Sequence, residues 1–206
     1  PPMVVVESGS MMHDEDGSVG AIDPGDLILV MNKNREDVVT FVEATEAGNE
    51  NFGHESHGSP GDVIIFSKNG GLDTPVIHRA LLEVVQNGSG WDVPGTTLRN
   101  VETVTWTLDI ECSSFHGDYN LRIEDWEPNH SGFLTSGDNN AGGCMIDQSG
   151  VSSNGPASGM RDSSNEPVEE VKEEWIVGIA SSEIPWIGSI KLVTSGNWEE
   201  VTPRSW

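Results

Sequence analysis

The chain has 206 residues, with 34 acidic against 10 basic side chains and a formal net charge of −24. So acidic a surface repels nucleic acid, because affinity for phosphate comes from Lys and Arg, and it disfavours electrostatic adhesion to anionic lipid. Seven Trp and several β-branched runs exclude a wholly disordered acidic chain, and the length suffices for one core with a small second lobe. A dense like-charge surface costs little where salt screens charges at short range, so the composition reads as adaptation to high salt. No run of about 18 apolar residues occurs, so the chain as given does not span a membrane as a helix.

Short apolar, β-branched runs punctuated by Gly, Asn, Asp and Pro predict strands over 3–6, 26–30, 62–66, 75–85, 101–110, 132–134, 175–180 and 188–193. The spacing of apolar residues over 38–47 fits one short helix, with another strand end as the alternative. Three stretches read as loops or insertions: 49–60, rich in Gly, His and Ser; 87–131, long and heterogeneous; and 149–174, polar, acidic and expected to be mobile. The predicted fold is mainly β with few short helices. Strands of 1–88 and 131–194 close one discontinuous core, 89–130 forms an inserted accessory lobe, and 195–206 is a tail.

Three places carry potential chemistry. The segment Val4-Val5-Val6-Glu7-Ser8-Gly9-Ser10 delivers two serines into a turn after a strand, where Gly9 permits an unusual dihedral. A serine hydroxyl needs a neighbouring base to become a nucleophile. Ser10 is the candidate nucleophile, and the Ser8 hydroxyl could supply an oxyanion donor. His78 lies in the β-like run Val76-Ile77-His78-Arg79-Ala80 and is the candidate base; Arg79, on the opposite face of a regular strand, either pairs with surface acids or holds the local fold. Gly137-Asp138-Asn139-Asn140 follows a short apolar strand. Either Asp138 or Asp147 could orient the imidazole by accepting one ring N–H. An ordinary Ser-Gly turn, a satisfied structural histidine and an Asx turn are the plainer readings of the three segments.

The remaining polar clusters say less. His54-Glu55-Ser56-His57 has a metal-like look but no third ligand nearby, and no metal site is expected. His116 and His130 are expected on the surface. Cys112 and Cys144 form one disulfide if they face an oxidising compartment and are buried thiols otherwise.

In chain order, five blocks line up: Ser8-Gly9-Ser10-Met11; Pro24-Gly25-Asp26 with Gly61-Asp62 and their strands; Val76-Ile77-His78-Arg79; Gly137-Asp138-Asn139-Asn140 with a second acid; and Gly178 with Ile184-Pro185-Trp186-Ile187-Gly188. Together they resemble the type I signal peptidases, in the archaeal and endoplasmic-reticulum branch that uses His where bacterial enzymes use Lys. The resemblance covers most of the chain outside the three loops. It implies a signal-peptidase-type β-fold and a serine endopeptidase that removes signal peptides from secretory precursors at small-residue, A-x-A-like sites. Ser10 would be the nucleophile, His78 the general base, and Asp138 and Asp147 the two acids. Ser8 would serve the oxyanion, and Met11 would border the bound substrate. It further implies no cofactor, a membrane anchor lying outside this chain, a catalytic domain on the extracellular face and, with the acidic composition, a haloarchaeal source; partner subunits are left open. Two departures stand out: His13 occupies a place where the family usually has Pro, and the stretch from Asp138 to Asp147 is longer than in many relatives.

Two other classes compete. Local similarity of the segment 10–30 to SOS-repressor-type autoproteases is countered by the Lys positions (Lys33, Lys68, Lys172 and Lys191), none on the base strand, and by a charge unsuited to DNA. A non-enzymatic acidic β-domain at the cell surface is the other rival.

Overall fold

A computed structural model describes residues 3–13, 20–33, 37–114, 117–139, 145–151 and 159–184, with backbone alone at 112–114 and 117–118. The molecule is mainly β, with 43% of residues in strands against 7% in helix. The strands are β1 (Met3–Val5), β2 (Leu27–Met31), β3 (Glu55–Ser56), β4 (Ser59–Pro60), β5 (Val63–Phe66), β6 (Val76–Asn87), β7 (Gly90–Asp92), β8 (Val104–Ser114), β9 (Gly117–Trp126), β10 (Gly132–Ser136) and β11 (Ile176–Ile184). A seven-stranded sheet runs β1-β2-β11-β5-β6-β10, with β7 hairpinned onto β6, and every pairing in it is antiparallel. The predicted strand over 188–193, the tail 195–206 and Cys144 lie outside the described residues, as do the side chains of Cys112 and His116.

The sequence of β5 explains why it sits centrally. All four residues, Val63, Ile64, Ile65 and Phe66, are buried. Strand alternation sends Val63 and Ile65 to one apolar cluster, with Met11, Ile28 and Val30, and Ile64 and Phe66 to another, with Phe133, Val171 and Ile179. An unbroken apolar run is what a strand covered on both faces requires. β6 continues this pattern, so that His78 pairs with Ile64 and Arg79 with Val63, one on each face.

Residues 89–130 were expected to form an accessory lobe. β8 and β9 do pair only with each other among the described strands. Their inward residues Val104, Leu108, Leu121, Ile123 and Trp126, however, join one cluster with Leu81, Leu82, Val84 and Leu134 of the main sheet. The hairpin is thus a second layer on the sheet, without a core of its own. The stretch 149–174, read from the sequence as a loop, is tied to the core in its described part. Val151, Val168, Val171 and Glu170 are buried, and Val171 bridges Phe133. Sparse apolar anchors were enough, because each one reaches the core.

The helix is shorter than the 38–47 spacing suggests. α1 spans Phe41–Thr45, held by a capping box in which Thr40 and Glu43 satisfy each other's backbone N–H. The loop over 49–60 contains the tight β3–β4 hairpin, whose two turn residues, His57 and Gly58, both have positive φ (51° and 76°), as a type I′ turn demands.

Candidate active site

Alternation along β6 and β10 builds the site. Thr135 pairs with Ala80 and Ser136 with Arg79, after a bulge at Leu134/Thr135. Thr135 and Gly137 therefore lie toward the His78 side, while Ser136 and Asp138 lie toward the Arg79 side. The contacts follow this division, and they separate the two candidate acids.

On the His78 side, His78 Nδ1 lies 2.7 Å from Asp147 Oδ2, and Thr135 Oγ1 donates to the same oxygen at 2.6 Å. A carboxylate accepts only, so the hydrogen bond sets the proton on Nδ1 and leaves Nε2 as the free base. The pair is almost fully buried, with side-chain exposures of 7% and 1%. Asp147 is placed by its own backbone: its N–H donates to Thr135 O, and its carbonyl accepts from Met160 N. Gln148 locks Thr135 in turn, accepting from its N–H at 3.0 Å. Asp147 Oδ1 is buried with no hydrogen-bond partner among the described residues.

On the Arg79 side, the guanidinium makes a two-pronged pair with Asp138, Nε to Oδ1 at 2.9 Å and Nη2 to Oδ2 at 2.6 Å. Its Nη1 reaches the carbonyls of Ser56, Ser59, Pro60 and Gly61. Asp138 is thus spent on Arg79, and on His13 Nε2 at 3.1 Å. It makes no hydrogen bond to His78. Between the two acids left open by the sequence, geometry assigns Asp147 to the imidazole and Asp138 to a clamp fastening the loop after β10 to the β3–β4 hairpin. Gly61 serves this clamp because only glycine fits there: its φ is +79°, and a Cβ would stand 2.6 Å from Phe41 N.

The serine segment is tied to the loop after β10 through main chain. Asn139 N donates to Ser10 O and Asn139 Nδ2 to Gly9 O, each at 2.8 Å. Gly137 is the point of closest approach: a Cβ on it would stand 2.5 Å from Ser10 O and 3.2 Å from His78 Nε2. The serine turn and the free imidazole nitrogen therefore meet across one glycine. Ser10 Oγ lies 3.3 Å from Ser8 Oγ and makes no hydrogen bond to His78 Nε2. Met11, expected to border substrate, is corrected to a core residue: it is 2% exposed and packs with Val6, Ile22 and Ile28. It anchors the turn instead.

The other histidines are dispersed. His54 Nε2 meets Asp62 at 2.8 Å, and His57 Nε2 meets the Ala180 carbonyl with Nδ1 3.4 Å from Glu183, so the two point to different partners. Burial pulls the His57 pKa down, against the opposing pull of the Ala180 carbonyl and Glu183. His130 is no plain surface residue; its ring meets Trp175 edge-on at 5.7 Å between centroids. Beside the site lies a cavity of about 330 Å³, lined by His13, Phe41, Leu81, Arg79, Leu121 and Gly137 among others.

Sequence reasoning passed over Thr135 and Gln148, and gave Gly137 and Asn139 no role of their own within the Gly-Asp-Asn-Asn block. Thr135 was the most accessible of these, since a polar residue in an otherwise apolar strand just before the Gly-Asp turn signals a buried partner. The partner of Gln148 lies thirteen residues back in sequence, and only the folded register reveals it. No protein-family model matches the chain, and neither a curated protein nor a solved structure is significantly similar to it.

Proposed function

We propose that the chain is a serine endopeptidase of the signal-peptidase type, with Ser10 as nucleophile, His78 as general base and Asp147 as the acid that orients it. One observation carries the reading: a buried His78–Asp147 pair at 2.7 Å whose free Nε2 faces, across Gly137, the turn that bears Ser10. Such a pair fixes the tautomer and stabilises the imidazolium formed during catalysis. His78 Nε2 takes the Ser10 Oγ proton as Oγ attacks the scissile carbonyl carbon. The C–N bond then breaks, and His78 hands the proton to the leaving amine. Water, deprotonated by the same nitrogen, hydrolyses the acyl-enzyme. The Ser10 N–H and the Ser8 hydroxyl are the donors for the tetrahedral oxyanion.

Among the described strands β1 lies at the edge of the sheet, and it leads directly into the Ser8–Ser10 turn. An extended peptide added to that edge arrives at Ser10. In this reading the substrates are secretory precursors with small residues at the cleavage site. In this reading the catalytic domain faces the outside of a halophilic archaeal membrane.

The test is cleavage of a pre-protein with an A-x-A site in molar salt, using the chain joined to a membrane anchor. Ser10→Ala and His78→Ala, with unchanged circular dichroism, are each expected to lose about ten-thousand-fold in kcat/KM. Unchanged cleavage in either variant removes that residue from the mechanism. One observation favours a second reading, a non-enzymatic acidic β-domain: Ser10 Oγ is bonded to Ser8 rather than to His78. Catalytic bonds in unliganded sites are commonly long and tighten with substrate. Absence of cleavage by the wild type across several precursors would decide for that second reading.

A further inference from the structure

The sequence contains two Asn-x-Ser triplets whose middle residue is not Pro, Asn87-Gly88-Ser89 and Asn129-His130-Ser131. Such a triplet accepts an N-linked sugar where it lies in a surface loop of a domain outside the cell. The structure separates the two. Asn87-Gly88-Ser89 forms the tip of the β6–β7 hairpin: Asn87 pairs with Gly90, which leaves Gly88 and Ser89 as the turn. Gly88 has a φ of +64°, and a Cβ on it would meet nothing within 4 Å, so the space over the turn is open. All three residues are exposed, and the Ser89 hydroxyl makes no hydrogen bond among the described residues. Asn87 Nδ2 donates to the Asp92 carboxylate, at 3.2 Å to Oδ1 and 3.1 Å to Oδ2. An amide has two hydrogens, so a sugar in place of one leaves the other for Asp92.

The second triplet is taken up by the fold. Asn129 N donates to Glu170 Oε1 at 3.1 Å, with Asn129 Nδ2 at 3.5 Å from the same oxygen, and Glu170 is only 2% exposed. The Ser131 hydroxyl accepts from Gln86 N at 2.9 Å. A sugar on Asn129 would press on its contact with a buried carboxylate, and the serine of that triplet is already bonded. We infer that Asn87, and not Asn129, is an acceptor of N-linked oligosaccharide. In the transfer, Asn87 Nδ2 bonds to the anomeric carbon of a sugar held as a phosphate ester. The anomeric C–O bond breaks, the phosphate leaves with the electron pair, and a base of the transferase takes one amide proton. β6 carries both His78 and Asn87, nine residues apart, which in an extended strand is about 30 Å, so the sugar leaves the candidate active site uncovered. This inference rests on the proposed placing of the domain outside the membrane, and not on the peptidase chemistry.

The test is mass spectrometry of the full chain joined to a membrane anchor and produced in a halophilic archaeon whose own surface proteins carry N-linked sugar. Trypsin cuts after Lys and Arg, which puts Asn87 in the peptide 80–99 and Asn129 in the peptide 123–161. A sugar increment is expected on 80–99 alone. It should be lost in Asn87→Gln and in Ser89→Ala, which keeps the acceptor amide but removes the hydroxyl of the triplet, and it should persist in Ser89→Thr. A bare 80–99 peptide, an increment on 123–161, or an increment that survives Asn87→Gln or Ser89→Ala would overturn the inference. The readout is a mass and does not depend on cleavage. A bare peptide from a chain that cleaves precursors removes this inference alone, whereas a sugar on Asn87 of a chain that cleaves none removes the peptidase reading alone.

Discussion

The two halves of the candidate site are built differently. His78 and Asp147 are side chains in a sealed interior: His78 is held by Asp147, and Asp147 by the Thr135 hydroxyl, with Gln148 behind Thr135. Ser8 and Ser10 sit on a more accessible turn held by main-chain carbonyls, through Asn139 and the buried anchor Met11. The proposed base is therefore positioned by burial, at a cost in stability if disturbed. The proposed nucleophile is positioned by backbone, and its replacement should be nearly free of stability consequences. A dry, buried half and an open half would suit the one site proposed, and mutations should tell them apart.

The largest effect belongs to the buried half. Asp147→Ala strands the Thr135 hydroxyl and the His78 ring, and is expected to remove activity together with about 3 kcal/mol of stability, measured by urea unfolding in molar salt. Ser10→Ala should match that loss of cleavage while leaving the unfolding midpoint within about 0.5 kcal/mol of wild type. Equal destabilisation by both would erase the contrast between the halves. Gly137→Ala sharpens it at the seam. Its Cβ has no room against Ser10 O, which is backbone and cannot turn aside. A displaced serine turn is expected to lower kcat/KM about a hundredfold with a smaller fall in stability.

The smallest effect lies outside both halves and calibrates the charge background. Burial first, then the carboxylates Glu43, Glu173 and Asp37, push the Glu83 pKa from 4.5 up to about 7. The folded state therefore binds a proton that the unfolded state has released between those values. The associated stability is fully present below pH 4.5 and is lost as pH rises through about 7. Glu83→Gln should leave stability unchanged near pH 4 and raise it by about 1 kcal/mol at pH 8, after solvent screening of a part-exposed group. A stabilisation that is the same at both pH values would refute the shift. His57 acts at the other end. Its lowered pKa predicts stability that is present above 6.5 and lost as pH falls below it.

Much of this was legible because strand periodicity is local. The apolar run of β5, the alternation around His78 and the turn at Gly137 can be read from neighbouring residues, and so could the placing of Arg79 on the face opposite His78. The partition of the acids could not. Which carboxylate meets His78 depends on the β6–β10 register, on the bulge at Leu134/Thr135 and on the path that brings Asp147 back against Thr135. β9 was missed because Tyr119, Asn120, Arg122 and Glu124 dilute its apolar residues, and only pairing with β8 reveals which of them face inward. Met11 was misread because a residue next to a nucleophile invites a functional role, whereas its thioether is needed in the core.

The most direct test of the account is where, and how fast, the chain is acylated. A peptide carrying an activated ester, reacted in a single turnover and followed by mass spectrometry, should place the adduct on Ser10 and not on Ser8. The rate should collapse in His78→Ala and Asp147→Asn and persist in Asp138→Asn, whose carboxylate serves Arg79. An adduct on Ser8 or elsewhere, no adduct, or a rate that depends on Asp138 rather than Asp147 would contradict it.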